Sequence, residues 1–262
     1  MIDALYISAS GLRSEQKQID VISNNVANMQ TPGFKRSRVN FADVAGSAVP
    51  AALPADPLAV AQAPAAPMPG GTRITSTVAE FETGEIRASG NPLDLAINGA
   101  GLFELELENG TVAYTRDGQF RLDAEGSLRT QQGARLANAP QIPADATDVR
   151  ISSAGELTVL MPGDTERTVL GTLELAVFGA ADALQSVGDN RFVATADAGT
   201  PSYVVPGEAG SGKLQQGYVE MANVQMIEEM SSLVMAQRAY QLNARVLQAA
   251  DQVLETINNL RR

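Results

Sequence analysis

Three carboxylates stand close together near the middle of the chain: Asp117, Asp123 and Glu125. By type and spacing they come nearest to chemistry. Two carboxylates converging on one bond are the machinery of glycoside hydrolysis, and a dense run of oxygen ligands is what holds Ca²⁺. The Ca²⁺ reading fails on density, because an EF-hand-type loop needs more oxygens packed into one short loop. Each acid also lies at a turn, Asp117-Gly118 or Asp123-Ala124-Glu125-Gly126. Turn acids on a strongly acidic chain are ordinarily solvated, so the expectation is solvated turns, with no catalytic, cofactor-binding or metal site. The chain has no His and no Cys. That removes imidazole acid–base chemistry, thiol nucleophiles, disulfides and the commonest zinc sites. A carboxylate-based hydrolase on a β scaffold stays open as the alternative, with no substrate suggested.

The elements that would position these acids differ in kind along the 262 residues. The net charge is −11, but residues 1–38 carry +2 and residues 220–262 carry −1, which leaves −12 for the middle. Near-neutral ends suit close packing; an acidic middle suits water. The acidic balance excludes a nucleic-acid backbone as partner, since that needs clustered Lys and Arg. With 5% aromatics and no Trp, the core must be built from Ala, Val, Leu and Ile. No apolar run reaches the roughly 18 residues of a membrane span, so no direct membrane insertion is expected. Asp3, Ser8, Ser10 and Arg13 interrupt any signal-peptide core.

Residues 223–262 contain no Pro and no Gly. Met226, Leu233, Tyr240, Leu247 and Leu254 recur at heptad spacing, beside a second register of Glu229, Ala236, Asn243, Ala250 and Ile257. This is an a/d seam on one long helix, with Asn223 as its N-cap. Leu5, Leu12, Ile19 and Val26 repeat in the same way over residues 2–28. The two stripes imply either an intramolecular helix pair or an intermolecular bundle. Asn243 within the seam either fixes register, as a buried polar residue does in a coiled coil, or faces water. Between the helices, residues 45–71 are rich in Pro and Ala and read as a loop or extended linker. From Thr72 onward short alternating runs are punctuated by turns: Leu93–Ile97, then Leu102–Glu108 and Thr111–Thr115 joined by the hairpin signal Asn109-Gly110. Short strands with frequent turns predict an all-β region.

The fold class expected is therefore α+β. Terminal helices at 1–35 and 214–262 form a coiled-coil core, 36–71 is an extended linker, 72–195 a central β domain and 196–213 a return loop.

Asn24-Asn25-Val26-Ala27-Asn28, followed by Thr31-Pro32-Gly33-Phe34-Lys35, ends the first helix in a turn. This combination resembles the N-terminal motif of the bacterial flagellar axial family, the rod and hook proteins. Gly90–Ile97 with Gly99–Phe103, Tyr114–Phe120 with Asp123–Gly126, and Leu214–Val224 with Gln237–Asn243 resemble the same family, in the family's order. The resemblance implies a structural, non-enzymatic subunit whose terminal helices line a hollow helical tube, with the β domain outside. It implies a homo-oligomeric filament and, as further partners, other flagellar rod proteins, the hook protein and surrounding ring proteins. It also implies a basal-body location reached by the flagellar type III pathway, with the N-terminus kept. The chain has no room for the hook protein's added outer domains, which points to the rod members. The assembly residues expected are Leu5, Leu12, Ile19, Asn24, Asn25, Val26, Asn28, Thr31, Gly33, Phe34, Asn223, Met226, Leu233, Arg238, Tyr240, Asn243, Leu247, Leu254 and Ile257. Another secreted coiled-coil protein, such as an adhesin stalk, is the second structural alternative.

Overall fold

The computed structural model describes residues 2–45, 69–107, 109–163 and 166–260. The centre of the Pro/Ala-rich stretch, residues 46–68, lies outside the described residues, as do Glu108 and the side chains of Leu254 and Ile257. The architecture is α+β: one helix near each end and β structure between them. The chain forms two compact units. One gathers Met1–Asn24, Arg38–Thr77 and Ile227–Arg262; the other gathers Asn25–Ser37 and Val78–Met226.

The first unit contains most of helix α1, Ile2–Ala27, and of helix α2, Met226–Leu260. It also holds strands β1, Ser37–Ala45, and β2, Pro69–Ala79, which pair as a two-stranded sheet. Both arms of the span read as linker are thus strand where they are described. Small residues let the pieces approach. Ser10 Oγ of α1 donates to Ile7 O at 2.7 Å and accepts the Thr72 N–H of β2 at 3.3 Å. A Cβ added to Gly11 would come within 2.8 Å of Asn243 Nδ2, so α2 passes directly over α1 at Gly11. Asn243 is half-buried there.

The second unit is β. In chain order come β3 (Ile86–Ala88), β4 (Leu95–Asn98), β5 (Phe103–Glu106), β6 (Val112–Thr115), β7 (Phe120–Leu122), β8 (Leu128–Thr130) and β9 (Arg135–Leu136). Then follow β10 (Asp148–Ile151), β11 (Glu156–Leu160), β12 (Thr168–Thr172), β13 (Leu175–Val177), β14 (Gln185–Gly188), β15 (Arg191–Val193), β16 (Ser202–Val204), β17 (Lys213–Gln216) and β18 (Tyr218–Glu220). A seven-stranded sheet runs in the order β14-β15-β6-β5-β9-β8-β7. Its centre is the β5–β6 hairpin, with Phe103 opposite Thr115 and Glu106 opposite Val112, turning through Asn109-Gly110 as the sequence predicts. Alternation sends Phe103 and Leu105 to one face. They join Leu95, Ile97, Phe120, Leu128, Leu157 and Leu175 in the main core. Tyr114 on the other face packs edge-on against Phe178, at 4.8 Å between ring centres.

Three readings need correction. Leu214–Glu220, placed with the terminal helix, is two strands: β17 pairs with β4 and β18 with β3. The return loop contains β16, paired antiparallel with β13. Helix α2 begins at Met226, so its N-cap position is Gln225 and Asn223 lies two residues too early to cap it; its amide is committed elsewhere.

Candidate assembly site

Apart from Asn24 and the Gln237–Asn243 block on α2, the motif blocks of the sequence lie in the second unit. Asn25, at the last turn of α1, is buried. Its Nδ2 donates to Ser37 O at 2.9 Å and its Oδ1 accepts Ser37 N–H at 3.0 Å. The side chain thus supplies both halves of a backbone pairing, which only an amide can do. Between these residues the chain turns. Thr31 N–H donates to Asn28 O, Phe34 N–H donates to Thr31 O, and Gly33 takes a φ of 71°. Pro at the second position and a left-handed Gly at the third are the demands of a type II turn. Gly33 is needed for space as well: a Cβ there would stand 2.4 Å from Asp117 N. So the first motif is seated on the third, Tyr114-Thr115-Arg116-Asp117-Gly118. Asn190 tightens the seat, donating from Nδ2 to Pro32 O at 2.9 Å while its own carbonyl accepts the Thr115 hydroxyl at 2.8 Å.

Behind the turn is a buried charge cluster. Lys35 Nζ lies 2.6 Å from Glu220 Oε1, and Arg116 Nε lies 2.9 Å from Glu220 Oε2; all three side chains are excluded from solvent. The remaining donors have partners. Lys35 Nζ donates to Glu82 O at 2.6 Å, Arg116 donates to Gly101 O at 2.7 Å and Gly99 O at 2.8 Å, and Gly84 N–H donates to Glu220 Oε1 at 2.9 Å. Two cations share one carboxylate, so charge is only partly balanced. Burial pulls the Lys35 ammonium down to about 8, against the opposing pull of Glu220. Desolvation likewise lowers Arg116. A buried pair is weak as net stabilisation, yet costly to break from one side. Lys35, Arg116 and Glu220 each end or centre a motif block, and sequence reading did not single them out as partners. Opposite charges nearly 200 positions apart give no local signal.

Asp117 corrects the solvated-turn expectation. It is buried, its Oδ1 accepts Gln119 N–H at 3.1 Å, and burial, aided by nearby Asp94, pushes its carboxyl up to about 6. Asp123 pairs with Arg129 at 2.7 Å and Glu125 is exposed. The three acids therefore go to separate surroundings and form no carboxylate pair. Among the described residues no group of acids is arranged to hold a metal ion, and no helix is long and apolar enough to cross a membrane.

Asn223 has the counterpart role to Asn25. Its Oδ1 accepts Arg36 N–H at 2.7 Å and its Nδ2 donates to Glu80 O at 2.8 Å. Gln216 does the same between the segment preceding β4 and strand β10, donating to Pro92 O and Val149 O and accepting Ile151 N–H.

On the helices, the covered face of α2 follows its small-residue register. Glu229 and Ala236 are buried, and Asn243 and Ala250 half-buried. Leu233 and Leu247 are half-buried at its edge, while Met226, Tyr240 and Arg238 are exposed. On α1, Leu5, Leu12, Ile19 and Val26 are half-buried; Ser8, Ser14, Val21 and Ile22 are buried. Asn24 is exposed, and Asn28, Thr31 and Phe34 are half-buried. A further apolar face was missed in the heptad reading. Ile227 is 84% exposed, Met235 68% and Leu242 61%, with Met230, Val234, Val246 and Val253 also open along α2. Large apolar side chains in a row on one helix mark a surface that another molecule covers.

Three family profiles match the chain: "Flagella basal body rod protein" over residues 5–35, "Flagellar hook protein FlgE/F/G D1 domain" over 96–159, and "Flagellar basal body rod FlgEFG protein C-terminal" over 215–260. Among curated relatives, the flagellar basal-body rod protein FlgG of Buchnera aphidicola from Acyrthosiphon pisum is 36% identical, covering 99% of this chain and 100% of its own. FlgG of Caulobacter vibrioides is 37% identical over the same shares. FlgF of that same bacterium is 29% identical, covering 94% of this chain and 93% of its own.

Proposed function

The chain belongs to the flagellar basal-body rod protein family, whose members are structural and non-enzymatic, and from that premise we propose that it polymerises as the distal part of the rod. In this reading subunits stack helically into a hollow tube that carries torque from motor to hook. The terminal helices form its coiled-coil core and the β unit lies outside. Two matches from one bacterium support the distal position, since the likeness to its FlgG exceeds the likeness to its FlgF.

The observation that carries polymerisation is the open apolar face of α2, from Ile227 to Val253. Burial of one Leu-sized side chain contributes about 1.5–3 kcal/mol. Several such residues per subunit outweigh the entropy of ordering a helix end. A contact between different faces of identical chains that repeats without closing builds a filament. The assembly residues are Leu5, Leu12, Ile19, Met226, Leu233, Tyr240, Leu247, Leu254 and Ile257 along the helices, joined by the open face. The partners are further copies of this chain, other rod proteins, the hook protein and the surrounding rings. Export runs through the flagellar type III route.

Leu247→Asp tests the reading. A charge at the edge of the seam should prevent incorporation into rods while the β unit keeps its unfolding midpoint. Normal incorporation would remove the helices from the assembly contact.

A further inference from the structure

The seven-stranded sheet of the β unit carries unlike charges at its two ends. At one end Arg121 of β7 stands opposite Arg129 of β8, and Arg129 opposite Arg135 of β9. Their strand neighbours Phe120, Leu128 and Leu136 go into the main core, so alternation sends the three arginines to the other face. Like charges directly opposite one another in a sheet are destabilising. Asp123 relieves Arg129 at 2.7 Å. Arg121 is exposed and donates to the Gln131 carbonyl. Arg135, although opposite Glu106 on β5, has no ion pair among the described residues.

The other end of the sheet is acidic. It lies six strands away, roughly 29 Å at about 4.8 Å per strand. Asp182 sits in the short turn before β14, and Asp197 in the turn after β15. The Thr195 hydroxyl donates to Ala183 O at 2.7 Å and ties these two turns together. Both acids are exposed, and neither has an ion pair among the described residues. Each end also opens one apolar side chain on its edge strand: Leu122 of β7 is 40% exposed and Val187 of β14 50%. All four residues of β14 are exposed. It carries neither the Pro nor the charge that ordinarily keeps a sheet edge from meeting another chain.

We propose that these two ends form one contact, in which the arginine row and Leu122 of one copy meet Asp182, Asp197 and Val187 of the next copy of this chain. The proposal rests on the polymerisation reading and adds to α2 a second contact made by the β unit. Charge and topology name the occupant. Copies of a chain with net charge −11 repel at a distance, and a cationic row set against a neighbour's acids supplies local attraction and fixes register. An apolar centre with a polar rim is the anatomy of a protein contact. The patches stand at opposite ends of one sheet, so each bound copy still has one end open. Such a heterologous contact propagates instead of stopping at a two-fold dimer.

The chain lacks Cys, which allows a direct test on the purified full-length protein. Gln132→Cys, in the turn between β8 and β9, and Ala196→Cys, beside Asp197, are both exposed positions. Mild oxidation of the double-Cys chain should give a ladder of disulfide-linked dimers, trimers and longer chains, whereas either single-Cys chain stops at dimers. Adding Arg121→Glu and Arg135→Glu sets like charges against each other and should reduce the ladder roughly tenfold. Adding Asp182→Arg and Asp197→Arg as well reverses both ends and should restore it, which a folding defect would not allow. Salt at about 0.5 M should weaken the native ladder by screening. No ladder from the double-Cys chain, a ladder indifferent to the arginine reversal, or a loss that the fourfold reversal does not rescue overturns the proposal. The rod reading fails differently. Complete flagella in cells lacking the gene would remove it, whereas full-length rods built from the arginine-reversed chain would remove this contact and leave the rod reading in place.

Discussion

Replacing Glu220 by Gln leaves two cations, Lys35 and Arg116, buried with no counter-charge. In the native protein Glu220 Oε1 receives Lys35 at 2.6 Å and Gly84 N–H at 2.9 Å, and Oε2 faces Arg116 Nε at 2.9 Å. A glutamine keeps one acceptor and turns an NH₂ toward groups that are themselves donors. Removing one partner of a buried ion pair costs about 3–5 kcal/mol. For a unit of this size about 1 kcal/mol moves the melting temperature by roughly 2–4 °C, which makes the expected fall roughly 6–20 °C. The loss should also depend on pH. The Lys35 pKa in the folded state, about 8, lies below the ordinary lysine value of 10.5. The folded form therefore sheds this proton before the unfolded form does, and stability gains from Lys35 as pH rises between those values. Without Glu220 the ammonium is easier still to neutralise, so the variant's deficit should shrink between pH 7 and pH 9. The assay is calorimetric melting of both proteins across that range. A fall of under about 2 °C at pH 7, or a deficit independent of pH, would mean that the cluster is not held by Glu220 and would refute the reasoning.

Asp117→Asn should stabilise the β unit at neutral pH. The carboxyl, raised from 3.8 to about 6, contributes fully below pH 3.8, loses that contribution as pH rises through 6, and above it is a buried charge costing up to about 3 kcal/mol. Asparagine keeps the acceptor for Gln119 N–H, so melting curves from pH 4 to pH 7 should flatten and end higher than the native curve. Gly33→Ala sets a methyl 2.4 Å from Asp117 N at a φ of 71°; it should lower the melting temperature by several degrees, and a neutral effect would mean that the turn is not seated there. Leu242→Asp, on the open face of α2, should leave the monomer's stability within about 0.5 kcal/mol and abolish incorporation into rods, scored on purified basal bodies.

The two helices and the β5–β6 hairpin were legible because their signals are local. Heptad spacing, alternation and Asn109-Gly110 each act within a few residues. The terminal strands β17 and β18 were misread as the start of the helix because their partners, β4 and β3, lie more than a hundred residues away. Gln and Tyr in Leu214–Glu220 tolerate either state. Asn223 resembled an N-cap for the same reason: Asn caps helices and bridges backbones with one amide, and the sequence does not say which backbone is near. Asp117 looked solvated because turn acids generally are; that Gly33 seats against its backbone is visible only in the fold. On α2, the heptad reading found the register that faces α1 at Asn243, and in doing so passed over Ile227, Met235 and Leu242. Their side chains belong to no single seam, and they are visible as a surface only once the covered face is known.

The central claim is that this chain is a rod subunit on which the rest of the flagellum is built. Electron microscopy of basal bodies from cells lacking its gene, with motility scored alongside, tests that most directly. The account predicts a truncated rod, without hook or filament, in non-motile cells, with the truncation falling at the distal segment. Complete flagella on swimming cells would contradict it.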